Sequence, residues 1–347
     1  MGQRAGVGAW ARAARETAFM DESPTTPSAW PEVTFEDILR AADAVAAVLP
    51  PTPAWSYPPL DEVAGVEVVV KHENTQPTGA FKVRGGLALV ASLPPERLAR
   101  GLITASTGNH AQSIAFAARL AGVAAVIVAP EGSPPGKLAA VRLLGATVIS
   151  HGPTMTEAGA HARALAAERG LTYVDPGDTP AIIAGHATVY LELLRQRPDL
   201  ECLYVPIGSG SGAAGACLVR DRLAPGCRVV GVQSSAAPAA HRSWTDGVVV
   251  AAECLTRHSG LATGSGFALP QRILRERLDD FLLVDDDAID AAAGLLARRA
   301  HTLAEGAGAA ALAGLLRDSS RPGVSAVICT GGNAGEDELR ALGADIG

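Results

Sequence analysis

Only three of the 29 basic residues are lysines, Lys71, Lys82 and Lys137; all the others are arginines. Forming an imine with a carbonyl compound takes a deprotonated amine, which a guanidinium does not supply. Any such chemistry therefore falls to one of three side chains. Lys82 follows Phe81 in a run dense in turn formers, Glu73-Asn-Thr-Gln-Pro-Thr-Gly-Ala-Phe-Lys-Val-Arg-Gly-Gly86. The run follows a predicted strand and opens a helix predicted beyond Gly85-Gly86, with Lys82 on the turn. Desolvation at such a strand end lowers an amine's pKa and makes it nucleophilic. The same composition suits an ordinary surface loop, and this segment alone does not separate the two.

Three further polar turns each close a predicted strand. Ser106, Thr107, Gly108, Asn109 and His110 open a helix, and helix N-terminal amides joined by hydroxyl and amide side chains form a carboxylate site; a plain N-cap is the bland alternative. Gly208, Ser209, Gly210, Ser211 and Gly212 also open a helix. Glycines there admit positive φ and close backbone approach, so successive N–H groups can cradle a phosphate. The run lacks the Gly-Lys-Ser/Thr of a P-loop and suits a monophosphate better than a nucleotide, though a tight structural turn has the same composition. In Cys329-Thr330-Gly331-Gly332-Asn333 a hydroxyl or thiol is placed to bond a cofactor ring nitrogen, and by itself this run reads as a strand-to-loop turn.

These turns need a scaffold that presents strand ends. From residue 50 onward, short apolar runs rich in β-branched residues alternate with helical stretches. Strands are predicted over 66–71, 102–104, 124–128, 147–150, 172–174, 203–207, 229–233, 281–284 and 326–329. Helices are predicted over 109–121, 136–144, 154–169, 211–223 and 287–301. Continuous apolar strands separated by helices mean parallel sheets covered on both faces. The expected fold is α/β, doubly wound, with ligands bound at strand C-terminal ends in a cleft between two halves. Residues 101–175 read as a small domain; 20–100 and 176–347 read as the large cofactor-binding domain. Residues 1–19, with Arg4, Arg12 and Arg15 against one acid, Glu16, read as an extension outside the fold.

Composition narrows the classes. The chain has 347 residues, 48% hydrophobic and 19% charged, with a formal net charge of −7. That is ample for buried cores, and no basic cluster marks a nucleic-acid or anionic-membrane partner. The longest apolar stretch, 113–130, is broken by Arg119 and is too short to span a membrane. The five cysteines form no CxxC pair and keep no metal-like spacing with the histidines, which points to free thiols and a cytoplasmic setting.

Taken in order, the four turns resemble those of the fold-type II pyridoxal-phosphate enzymes, the tryptophan synthase β superfamily, and within it the serine/threonine dehydratase and serine racemase branch. The resemblance runs from about residue 50 to Asn333. It implies two open, doubly wound sheets of mostly parallel strands, pyridoxal 5'-phosphate as cofactor, and a homodimer. It implies that Lys82 carries the cofactor as a Schiff base and moves the Cα proton, that Phe81 flanks the ring, and that Asn109 contacts the ring's hydroxyl oxygen. Ser106, Thr107, Gly108, Asn109 and His110 would line the pocket for the substrate carboxylate. Gly208, Ser209, Gly210, Ser211 and Gly212 would bind the phosphate, Thr330 would face the pyridine nitrogen, and Glu305 matches an acidic residue close to the ring.

The implied reaction is β-elimination: an ammonia-lyase (dehydratase) taking L-threonine, L-serine or a related β-hydroxy amino acid to a 2-oxo acid and ammonia. A hydroxyl rather than a carboxylate at the ring nitrogen favours elimination over transamination. Two departures matter. Where metal-activated relatives carry acidic ligands this chain has Gln233 and Ala239, so no metal is expected. Thr107 stands where the racemases have an acid/base serine, which favours elimination over racemisation. A racemase and a β-replacement enzyme are the rivals, the latter disfavoured by the Asn109-His110 pair; a non-catalytic ligand sensor would have no need of Lys82. The chain is also expected to lack the long C-terminal extension of allosteric biosynthetic threonine dehydratases. Substrate choice is expected in residues 256–267, where Arg257, His258 and Phe267 suggest a bulky or acidic β-substituent. An acidic substrate held by Arg257 would have its KM raised selectively in Arg257→Ala.

Overall fold

A computed structural model describes residues 32–344; the extension expected over 1–19 lies outside the described residues. The chain divides into two compact units, one from residues up to Pro50 with Lys82–Gly185, the other from Pro51–Phe81 with His186 onward.

The second unit holds a six-stranded sheet of β1 (Ala54–Ser56), β2 (Glu67–His72), β7 (Cys202–Pro206), β8 (Arg228–Ser234), β9 (Asp280–Val284) and β10 (Val324–Cys329), in the order β1-β2-β10-β7-β8-β9. All neighbours are parallel except the edge pair β1–β2. Strand β1 was not expected: three partly exposed residues carry no alternation to read. Central strands such as β2, with Val68, Val69 and Val70 fully buried, are covered on both faces, hence their unbroken apolar runs. The Gly306–Arg317 helix is almost all alanine, glycine and leucine. Small residues let it lie close on the sheet: a Cβ on Gly314 would come within 2.3 Å of Val232 Cγ2.

The first unit holds a four-stranded, all-parallel sheet of β3 (Leu102–Ala105), β4 (Ala125–Ala129), β5 (Thr147–Ser150) and β6 (Thr172–Tyr173), in the order β5-β4-β3-β6. The Lys82–Ser92 helix begins at Lys82 itself, earlier than the turn expected there, whereas the Met155–Arg169 helix starts and stops as its sequence indicates. Thr154 and Glu157 form a capping box on Met155–Arg169, and Gly170 ends it in the left-handed conformation (φ 67°). The division differs from that read from the sequence. The Lys82–Ser92 helix sits with the four-stranded sheet because Val83, Leu87 and Val90 pack into one core with Leu102, Ile114 and Val45 of the Phe35–Ala46 helix. Among the described residues no helix is long and apolar enough to cross a membrane.

Candidate active site

In the second unit the segment before Lys82 is knotted to the turn that follows β10. The Phe81 N–H donates to Thr330 O at 2.9 Å and the Gly332 N–H to Gly79 O at 2.9 Å. The Asn333 side-chain amide donates to Thr78 O at 2.8 Å, and Ala80 and Gly331 form an antiparallel bridge. Gly79 has φ 69°, and a Cβ there would meet the Asn333 side chain at 2.4 Å, so this turn requires glycine. The Glu305 N–H donates to Gly331 O at 3.0 Å, which places buried Glu305 beside the same turn. Burial, together with the Glu305 and Glu73 carboxylates, pushes the Cys329 thiol upward. The Thr330 hydroxyl donates to Ala307 O at 3.0 Å. To donate to a cofactor ring nitrogen it would have to exchange that partner, a rotation about one bond.

The glycine–serine turn lies in the same unit. Gly210 caps the Ser211–Leu223 helix in the left-handed conformation, φ 86°, with no side-chain cap. A helix started this way turns its first N–H groups toward an anion. Glycine is enforced sterically at Gly208, where a Cβ would stand 2.7 Å from Gly260 O; a Cβ on Gly212 would be a close neighbour of the Phe81 ring at 3.3 Å and of the Tyr190 hydroxyl at 3.4 Å. Phe81 thus lies beside this turn and is bonded to the Thr330 turn.

In the first unit Lys82 is half-buried, yet desolvation brings its amine down to about 8. Its carbonyl accepts a hydrogen bond from the Ser113 hydroxyl, which itself receives the Gly86 N–H at 3.1 Å. Ser113, one turn beyond His110, carries no chemical signal in the sequence. The second motif opens the Asn109–Ala121 helix at Gly108, with no side-chain cap and no acid in the first turn. The Ser106 hydroxyl instead receives the Gly108 N–H at 3.3 Å, so the plain N-cap alternative does not describe this turn. His110 is buried. The Thr104 hydroxyl gives its single proton to Val174 O at 2.8 Å, so toward His110 Nε2, 3.2 Å away, it can only accept. The proton is therefore on Nε2, and Nδ1 is a buried acceptor with no hydrogen-bond partner. Burial and then the charge of Lys82 hold this ring down to about 3. As placed, His110 offers a ligand an acceptor. The groups at this helix start that are able to donate hydrogen bonds are the Ser106, Thr107 and Asn109 side chains and the helix amides.

The specificity residues expected from sequence turn out differently. The Arg257 guanidinium is matched by Asp287 at 2.6 Å and by Asp290, both of which keep it charged. It already has its carboxylates, so Arg257→Ala is not expected to discriminate against an acidic substrate. His258 is buried against Glu338, 3.4 Å from Nδ1, and the Asp286 carbonyl, 3.4 Å from Nε2. Gln233 has a structural task, its side-chain oxygen receiving the His241 N–H at 3.0 Å.

Glu338, which sequence reading missed, ties the Glu336–Ala344 helix to the Glu305 turn: its carboxylate receives the Gly306 N–H at 2.9 Å and the Gly335 N–H at 2.7 Å. Burial would raise its pKa, but the hydrogen bonds from His258 and these two N–H groups lower it to about 2 from 4.5. A depressed carboxylate stabilises the fold above its unfolded value, and that contribution is lost as pH falls from 4.5 toward 2. Glu338→Gln should therefore cost about 1–2 kcal/mol near neutral pH. The deficit in urea unfolding should shrink on acidification; a deficit constant across that window would refute the charge argument.

Residues 45–331 match the family described as pyridoxal-phosphate dependent enzyme. The chain belongs to that family. Among its relatives is the L-threonine ammonia-lyase of Geobacter sulfurreducens, 40% identical over 277 residues, covering 79% of this chain and 69% of the relative. Another is the L-threo-3-hydroxyaspartate ammonia-lyase of Saccharomyces cerevisiae, 35% identical over 86% of this chain and 93% of the relative. Among solved structures, the T.th. threonine deaminase superposes with TM-score 0.82 at 36% identity, covering 87% of this chain and 99% of that one. The architecture is that of the fold-type II pyridoxal-phosphate enzymes, and pyridoxal 5'-phosphate is the cofactor.

The residues present fit the group. An amine near 8 is available to an aldehyde at neutral pH. The Gly208–Gly212 turn offers helix N–H groups on a backbone packed closely at its glycines, which suits a phosphate.

Proposed function

We propose that this chain is an ammonia-lyase that eliminates water from L-threonine, L-serine or a related β-hydroxy amino acid, releasing a 2-oxo acid and ammonia. The observation that carries the reading is Lys82: its amine is brought to about 8 by desolvation, and the residue directly follows Phe81, whose N–H is fastened to the Thr330 carbonyl. The names and identities of the relatives support the same reaction class.

In this reading Lys82 binds the cofactor and then acts as general base on the substrate Cα. The bound cofactor supplies the sink for the charge left at Cα. Ser106, Thr107, Gly108 and Asn109, at the open start of the Asn109–Ala121 helix, receive the substrate carboxylate, with His110 as a neutral, proton-accepting wall. Asn109 would contact the ring's hydroxyl oxygen and Phe81 would flank the ring. Gly208, Ser209, Gly210, Ser211 and Gly212 would hold the phosphate, Thr330 would face the ring nitrogen, and Glu305 would lie close to the ring. A cytoplasmic homodimer belongs to the same proposal and rests on the family resemblance; light scattering of the loaded protein would test the dimer.

The deciding assay incubates the loaded protein with L-threonine, L-serine and L-threo-3-hydroxyaspartate and measures ammonia and 2-oxo acid together. Equimolar release from at least one of them is expected. D-enantiomer without ammonia would favour racemisation, and a thioether formed with added thiol would favour β-replacement; either result displaces the lyase reading.

A further inference from the structure

The Pro180–Gln196 helix carries a fully buried histidine, His186, in the second unit. Its ring packs on Phe81 with centroids 4.6 Å apart at 46°. His186 Nδ1 lies 3.0 Å from the Ser211 hydroxyl, and that hydroxyl lies 3.1 Å from the hydroxyl of Ser209. A short hydrogen-bonded chain therefore runs from a buried imidazole along the two serines of the phosphate-type turn.

A serine hydroxyl has one proton to give. If Nδ1 lacks a proton, Ser211 must spend its own on the ring. If Nδ1 bears the proton, it donates to Ser211, which is then not required to give its own proton to the ring and can turn it toward an anion in the turn. An anion held by helix N–H groups gains from every further donor. We infer that His186 is a positioning residue for the cofactor phosphate, and that phosphate binding selects the tautomer with the proton on Nδ1, so that Ser211 donates to the phosphate. Packing on Phe81 fixes the ring plane that this requires. The inference rests on assigning the Gly208–Gly212 turn to the phosphate.

Two measurements test it in the full-length protein. The first is the tautomer of His186, read from long-range 15N–1H NMR correlations in the loaded holoenzyme and again in apoprotein titrated with inorganic phosphate. A proton on Nδ1 in both is expected, and a proton on Nε2 overturns the proposal. The second is the equilibrium affinity for pyridoxal 5'-phosphate. Losing a hydrogen bond to a charged group should weaken binding on the order of tenfold in His186→Phe. His186→Asn, whose amide can donate from near the Nδ1 position, should restore most of the loss. If Ser211→Ala leaves the affinity unchanged, Ser211 gives the phosphate no hydrogen bond and the proposal fails, while the assignment of the turn, which rests on its N–H groups, is untouched. If Ser211→Ala weakens binding but His186→Phe does not, the assignment stands and the role given to His186 is wrong. Should His186→Phe fail to fold, the tautomer of the unsubstituted protein decides.

Discussion

Lys82→Ala should abolish covalent attachment of the cofactor and lower turnover by about 10²–10⁴-fold or more, the usual contribution of a general base alone. Neither remaining lysine can replace it. The Lys71 ammonium is buried against the Glu192 carboxylate, the Thr52 carbonyl at 2.8 Å and Gln196 at 3.0 Å, an arrangement that stabilises the charged, non-nucleophilic form. Lys137 lies on the Pro135–Leu143 helix, which carries none of the four motifs. Lys82→Arg should be as inactive as the alanine variant, because a guanidinium keeps the charge and lacks the nucleophile. Borohydride reduction of the loaded protein followed by peptide mapping should place the label on the Lys82 peptide, and a label on either other lysine would sink the assignment. The amine's value of about 8 adds a pH signature. The rate at which apoprotein captures the cofactor should rise about tenfold per pH unit below that value and flatten above it. A rate flat from pH 6 to 8 would contradict the desolvated amine.

The second large effect concerns the turns that hold Phe81 and Thr330. A Cβ on Gly308 would stand 2.2 Å from Gly331 O and 3.2 Å from Gly331 N. Those are backbone atoms already committed, through the Glu305 N–H and the bridge to Ala80, so they have little freedom to retreat. Gly308→Ala is expected to destabilise the protein by about 1–3 kcal/mol, as overpacking does, and to loosen cofactor binding because the Thr330 turn must move. Gly136→Ala is the control: nothing lies within 4 Å of a Cβ there, it sits in the first turn of a helix, and alanine there should be neutral or stabilising by about 0.5–1 kcal/mol. Urea midpoints and cofactor affinities of both variants check this. Equal midpoints would mean that the close approach at Gly308 is not rigid.

Much of the architecture was legible in the amino-acid order. Unbroken apolar runs such as 68–70 announced parallel strands buried on both faces, and the four polar turns fell at the ends of β2, β3, β7 and β10. Those signals are local, because strand and helix periodicity is written within a few neighbouring residues. The rarity of lysine narrowed any imine-forming amine to three side chains, and the family resemblance pointed to Lys82 among them.

Tertiary structure alone decided the rest. That Lys82–Ser92 belongs with the four-stranded sheet depends on which distant apolar faces Val83, Leu87 and Val90 meet. That Arg257 is spent on Asp287 and Asp290, that His110 presents an acceptor, and that His186 lies beside Ser211 all depend on long-range partners. A side chain's type states what it can donate or accept. Which of those capacities it uses is set by atoms that the fold brings within about 3 Å of it, and these are as often far along the chain as close by.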